Sequence, residues 1–395
     1  DMAALARLVD LDASIAALET ALDELGPDDA GDDASRSAAI VELSAELATA
    51  RLYREDYAGA LTLADRAMAD AERLGLWRSL AEARITRGTA LGNLGRIDDA
   101  LLELDAALAF AAERGLVTSE LRARLDLSAG PLLLTDAARS VTVAREGYEL
   151  ASRLGMRDWA LNLASPALTV AVWTGAWDWA EATIAELDAT DLPSTWRTDL
   201  AIVSRVIAVL RGREEAGAGA PAHRRDAPLT SSSAAYVRIH EAIVAMVTGR
   251  LDEAYTAALD AASASTATVF AYIGPAVAAR SALWARDADR AEIAVRALDA
   301  IPVDGALLQA GRASLHAGLA ALRGDRGAAR SGYLDAANRW RTLRIDLELG
   351  LTLLDLATLV GDDDAAALTA ADEARALFER LGAAALLARL PARVP

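Results

Sequence analysis

Apolar and small residues recur along this chain at offsets of three and four, and the pattern itself repeats. Gly95 is followed by Ala100, Leu104 and Ala107, Gly249 by Ala254, Ala258 and Ala261, and Gly324 by Ala329, Tyr333 and Ala336. On a helix such positions share one face, and small side chains there let a partner helix come close. Gly88, seven residues before Gly95, adds another small residue to that contact. Helix stops recur as Leu74-Gly75, Arg114-Gly115 and Leu154-Gly155, each 40 residues after the last and each followed by an apolar residue, Leu76, Leu116 or Met156. A glycine there can take the left-handed conformation that closes a helix, while the next side chain folds back on the last turn. A second set of turns falls at Glu55, Gly95, Thr135-Asp136, Gly175, Gly212, Gly249, Arg286, Gly324 and Gly361, spaced by about 37 to 40 residues. Two turns per period predict two helices per period, roughly 12 to 18 residues each. The expected fold is all-α, built of about eight helical hairpins in one register.

The pattern fails after Gly212. The second helix expected there runs through Ala216-Gly217-Ala218-Gly219-Ala220-Pro221 to Ser231-Ser232-Ser233, and repeated Gly followed by Pro raises the cost of a helix. A frayed helix or loop over 216–233 is therefore expected, either a tolerated surface insertion or a regulatory hinge. It would separate an N-terminal array (34–215) from a C-terminal array (234–395), with a helical segment at 1–27 ahead of both. Asp28-Asp29-Ala30-Gly31-Asp32-Asp33 reads as an acidic linker, because a calcium loop needs alternate carboxylates and a closing Glu that this stretch lacks. Asp362-Asp363-Asp364 reads as a helix start before Ala365.

Composition changes the picture mainly by exclusion. The formal charge is −18, and all 40 basic residues are Arg. An acidic balance argues against a general phosphate-binding surface, so no direct nucleic-acid binding is expected. Without Lys there is no Walker-type phosphate loop. Without Cys there are no disulfides, thiolate nucleophiles or Cys-ligated metals. His223, His240 and His316 fall in different periods and form no ligand pair at helical spacing, so no metal or other cofactor is expected. No Ser-centred nucleophile elbow occurs, and the carboxylates read as solvated helix faces. No catalytic residues are assigned, and an enzyme is the least supported class. No apolar run approaches the length of a membrane span, and the start at Asp1 lacks the features of a signal peptide. A soluble, cytoplasmic protein is expected, and a chain opening on Asp suggests a piece of a longer one.

The stretch Ala81 to Ala107, with Gly88, Leu91, Gly95, Ile97, Ala100, Leu104 and Ala107, is similar to the tetratricopeptide repeat. Glu55, Tyr57, Ala60, Ala64 and Ala67 repeat it without the turn glycine. Gly175, Trp177 and Ala180 follow it until Ile184 and Leu187 replace small residues. The resemblance covers nearly the whole chain and implies a right-handed superhelical solenoid whose first helices line a concave binding side. Carried over by register, the groove candidates are Tyr53, Glu82, Thr89, Asn93, Asn162, Thr169, Trp173, Tyr236, His240, Arg280 and Trp284. For Trp173 and Trp284, packing between adjacent units is the competing reading. Trp177 and Trp179 flank Asp178 just before Ala180, which predicts that at least one ring points outward to contact a ligand or neighbouring domain. The clamp by which some of these domains hold a peptide carboxylate needs Lys; here Ala45, Glu82 and Ile85 occupy matching sites, which disfavours chaperone-tail binding.

Leu91 to Arg96, Ser152 to Arg157, Gly175 to Ala180 and Ala374 to Ala383 together resemble the C-terminal sensor region of large actinobacterial regulators with a signal-transduction ATPase core. Some of these regulators are LuxR-type or maltose-responsive activators, and others are fused to adenylate cyclase domains. That resemblance implies a sensor arm that binds a protein partner or a small inducer and biases an upstream ATPase domain. The alternative is a constitutive protein–protein scaffold.

Overall fold

The computed structural model describes residues 11–26, 34–189, 192, 194–213, 231–301, 303, 305–361 and 364–392. Every regular element among them is a helix. In chain order these are α1 (Leu11–Leu25), α2 (Ala34–Tyr53), α3 (Tyr57–Leu74), α4 (Trp77–Asn93), α5 (Ile97–Glu113), α6 (Val117–Ala129) and the short α7 (Pro131–Thr135). They continue as α8 (Ala137–Arg153), α9 (Arg157–Thr174), α10 (Trp177–Asp188), α11 (Ser194–Leu210), α12 (Ser231–Val247), α13 (Leu251–Ala264) and α14 (Thr268–Trp284). The last are α15 (Ala288–Asp299), α16 (Ala306–Leu322), α17 (Arg326–Leu343), α18 (Asp346–Leu359), α19 (Ala365–Leu381) and α20 (Ala384–Leu387).

The chain divides into two compact units. Unit 1 is Asp1–Leu132 with Thr142–Pro166, and unit 2 is Leu133–Val141 with Ala167–Pro395. The stretch expected to divide the arrays, 216–233, falls inside unit 2. Its residues up to 230 lie outside the described part, and Ser231 already opens α12. The units exchange after Leu132, after Val141 and, within α9, after Pro166, a residue that cannot donate a helical hydrogen bond.

Several hairpin turns share one closure. At five of the turns a backbone N–H donates to the carbonyl five residues back: Asp56 to Arg51, Arg96 to Leu91, Arg250 to Ala245, Asp287 to Ala282 and Asp325 to Ala320, at 2.9 to 3.0 Å. Such a closure requires a left-handed residue just before the donor. Gly95, Gly249 and Gly324 supply it at φ 82° to 84°; where glycine is missing, Glu55 (65°) and Arg286 (57°) adopt it nonetheless. The helix stops at Gly75, Gly115 and Gly155 are left-handed as expected, and Leu76, Leu116 and Met156 donate back across the turn at 2.9 Å. Aspartates cap the helices that follow: Asp56, Asp136, Asp287 and Asp325 accept backbone N–H bonds three residues on, and Asp364 those of Ala366 and Ala367.

The small-residue face is buried in each pair that carries it: Ala60, Ala64 and Ala67; Ala100, Leu104 and Ala107; Ala254, Ala258 and Ala261; Ala329, Tyr333 and Ala336. Gly88 is needed for that approach, since a Cβ there would stand 2.7 Å from Leu104 Cγ. In unit 1 the layers between hairpins are filled by Ile85, Leu104, Leu127 and Val143, and by Leu121, Trp159 and Leu163. α1 joins the same stack, packing Ile15 on Leu47 and Ala50 of α2.

Within unit 2 the last helices return to the first turns. The Leu381 side chain covers the backbone of Gly175 so closely that a Cβ there would displace its tip, and a Cβ on Gly212 would lie 3.2 Å from that of Ala384. Beyond α20, the Arg389 guanidinium lies 4.0 Å from the centre of the Trp284 ring. The row of first helices in this unit, α9, α11, α12, α14, α16 and α18, therefore bends around an interior.

Candidate functional site

In unit 1 the first-helix face carries a buried polar ladder. Arg122 of α6 is buried and donates from Nη1 to Glu82 Oε2 at 2.6 Å and from Nη2 to the Thr86 hydroxyl at 2.9 Å, both on α4. The Thr86 hydroxyl meets that of Thr49 on α2 at 2.9 Å. Ser119 donates to Glu82 at 2.6 Å, and Thr89 donates to Asp126 at 2.9 Å. Each link joins residues 36 to 40 apart, one hairpin to the next. Burial pushes the Asp126 carboxyl up, against the pull of Arg122 and the Thr89 hydrogen bond. Burial likewise pushes the Tyr53 phenol up to about 12, with Arg122 opposing and Asp126 and Glu82 adding to the rise. Arg122 is thus the cation that balances two carboxylates, Glu82 and Asp126.

Of the predicted groove residues, Tyr53, Glu82 and Thr89 meet around Arg122. Asn93 adjoins them by donating to the Thr89 carbonyl at 3.0 Å. Asn162 stays apart, half-buried on α9.

Unit 2 holds a different arrangement. Six first helices and the end of α17 enclose a pocket with about 790 Å³ of unfilled space, open solvent at its mouth included. Its wall is apolar and aromatic, with Trp173, Met246, Tyr272, Val277, Leu315 and Trp340 among the lining residues, and its charged side chains are Arg280 and Glu348. Arg280 on α14 donates from Nη1 to Glu348 Oε2 at 2.8 Å and from Nε to Asp355 Oδ2 at 3.1 Å, both on α18. Trp284 donates its indole N–H to the other Asp355 oxygen at 2.7 Å. Asp355 is fully buried; burial pushes its carboxyl up, and Arg280 and Trp284 act against that. Burial alone would lower the Arg280 pKa, and the two carboxylates more than reverse it. These bonds span 68 to 75 residues, two hairpins, and pass over α16. α16 is slim at Gly311, where a Cβ would stand 2.5 Å from the Tyr272 hydroxyl.

The predicted residues of this unit sort into two groups. Arg280 and Trp173 line the pocket and Trp284 orients Asp355 behind it. Thr169, Tyr236 and His240 lie together elsewhere: the Thr169 and Tyr236 hydroxyls are 3.4 Å apart, and the Tyr236 and His240 rings are 4.3 Å apart. His240 is buried, its Nδ1 is 2.8 Å from the Tyr236 carbonyl, and burial pulls its pKa down to about 4.

Of Trp177 and Trp179, at least one of which was expected to point outward, Trp177 is the ring that packs inside. Trp177 is 1% exposed and donates its indole N–H to the Val172 carbonyl at 2.9 Å, because its position is the one that Ile97 fills in the regular repeat. Trp173 and Trp179 are half-buried.

Reading the sequence missed Arg122, Asp126, Glu348, Asp355, Tyr272 and Trp340. Asp355 had a visible signal, a lone carboxylate within the apolar run Leu351 to Leu356. Among the described residues no group of three or more potential ligands could hold a metal ion, and no helix is long and apolar enough to cross a membrane.

No protein-family model and no curated protein sequence matches this chain. Among solved structures, the crystal structure of the yeast Tom70 is similar over 96% of each chain, at 15% sequence identity and a TM-score of 0.29.

Proposed function

We propose that this chain is a non-catalytic binding module, the sensor arm of a bacterial signal-transduction or transcriptional regulator, with its inducer site in the unit 2 pocket. The observation that carries the reading is the pocket itself: aromatic and aliphatic side chains from successive first helices face one interior, with a single ion pair at its wall. A ligand that contacts several hairpins at once favours one curvature of the row over others, which is what a sensor coupled to an ATPase domain requires. The test is a thermal-shift screen of small metabolites on the whole chain. A ligand at a hundred times its Kd stabilises by about 2.7 kcal/mol. Stabilisation of the native chain that vanishes in Ala276→Trp, which fills the pocket, supports the reading. Stabilisation by protein partners alone sinks it.

A constitutive scaffold is the second reading, and an observation in unit 1 favours it. Trp77 is 46% exposed, and Arg114 stacks on both Trp77 and Phe110 at 5.1 and 3.8 Å, an aromatic and cationic surface suited to a protein partner.

A further inference from the structure

Three features of the unit 2 pocket define the chemistry of what fits it, given that it is a ligand site as proposed above. The first is charge. Arg280 and Glu348, the charged side chains that line it, are paired with each other at 2.8 Å, and Arg280 is bonded to Asp355 as well. A charged ligand entering there would meet no unpaired counter-charge and would have to lose its hydration or break the existing pair, and both are costly in an apolar site. The second is an unused donor. Trp340 lines the pocket and is fully buried, and its indole N–H has no hydrogen-bond partner, unlike those of Trp177 and Trp284; the nitrogen is covered by its neighbours, so an acceptor in the pocket reaches it once the ring or its cover turns. A buried N–H left unpaired is unfavourable and gains from an acceptor. The third is enclosure: the return of Leu381 and Ala384 to the turns at Gly175 and Gly212 bends the row of first helices around the pocket, which suits a compact molecule better than an extended peptide.

We propose that the unit 2 pocket takes an uncharged, largely apolar small molecule that bears a hydrogen-bond acceptor, such as a ketone, ester or lactone oxygen, and that Trp340 Nε1 donates to that acceptor. Arg280 and Glu348 then act on specificity by excluding charged analogues.

Four probes on one ring system separate these elements: 2-acetylnaphthalene (neutral, with acceptor), 2-ethylnaphthalene (neutral, without), 2-naphthoate (anionic) and 2-(aminomethyl)naphthalene (cationic). Binding to the full chain is measured by calorimetry, and the tryptophan indole N–H signals are followed by NMR, with the Trp340 signal assigned from Trp340→Phe. The expected result is binding of 2-acetylnaphthalene at least tenfold tighter than either charged probe and several-fold tighter than 2-ethylnaphthalene, with a downfield shift of the Trp340 indole proton. Trp340→Phe should equalise the two neutral probes while both still bind, and Ala276→Trp should abolish binding with helicity intact. Tightest binding by a charged probe, an unmoved Trp340 signal, or unchanged binding in Ala276→Trp would overturn the proposal. If none of the four binds, this ligand class falls, and the metabolite screen decides separately whether the pocket is a site at all.

Discussion

Both units bury an arginine of a first helix against two carboxylates, yet they use it differently. In unit 1, Arg122 reaches Glu82 on the preceding first helix and Asp126 on its own, so the ladder ties neighbouring hairpins, with Thr49 and Thr86 continuing it. In unit 2, Arg280 reaches past α16 to Glu348 and Asp355 on α18, tying hairpins two steps apart. A link between neighbours fits the flat contact of one layer on the next. A link across two layers needs the row to curve, and the curved row encloses a pocket beside the ion pair. The same chemical device thus stiffens one array and shapes an interior in the other.

The largest effect that would break this comparison comes from removing the cations. Arg122→Ala and Arg280→Ala each strand buried carboxylates and should cost about 3 to 5 kcal/mol in chemical denaturation. Only Arg280→Ala should also change small-molecule binding; equal loss of binding in both variants would mean that the arginines do not have separate roles.

Acid should act next, and on unit 2 through His240. Its folded pKa, about 4, lies below the ordinary imidazole value of 6.5, so from pH 6.5 down to about 4 the unfolded chain takes up a proton that the folded chain refuses. The contribution of His240 is fully present above pH 6.5 and is lost as pH falls through that window, by roughly 3 kcal/mol at most. Stability measured across that range should flatten in His240→Leu, and an unchanged slope would remove His240 as the cause.

The smallest effect concerns the turns shared by both units. Glu55 and Arg286 hold left-handed backbone where other repeats have glycine. Glu55→Gly and Arg286→Gly should each raise stability by about 0.5 to 1 kcal/mol in denaturant titration, less whatever the freer unfolded chain takes back. A loss would show that the side chains contribute more than the strain.

What could be read in the sequence was local. The helix stops at Gly75, Gly115 and Gly155, the small face of Ala100, Leu104 and Ala107, and the capping role of Asp364 depend on residues within a turn or two of each other, and all stand in the structure. Even the left-handed turns at Glu55 and Arg286 followed from register, since the period demands a turn there whatever residue fills it. The candidate sites were legible in part: Glu82, Thr89, Trp173 and Arg280 lie on first helices, as their register requires, while of the pair Trp177 and Trp179 only the structure shows that Trp177 is the buried one.

Hairpin geometry is thus determined by the sequence alone, because helix caps, Schellman closures and small-residue contacts are short-range interactions repeated every 37 to 40 residues. Tertiary structure alone decided which residues from distant hairpins meet. Small rotations from one hairpin to the next add up along the row, and their sum brings Arg280 to Asp355 and Leu381 to Gly175. No single repeat encodes that sum, so the pocket and its unpaired Trp340 donor exist only in the folded array.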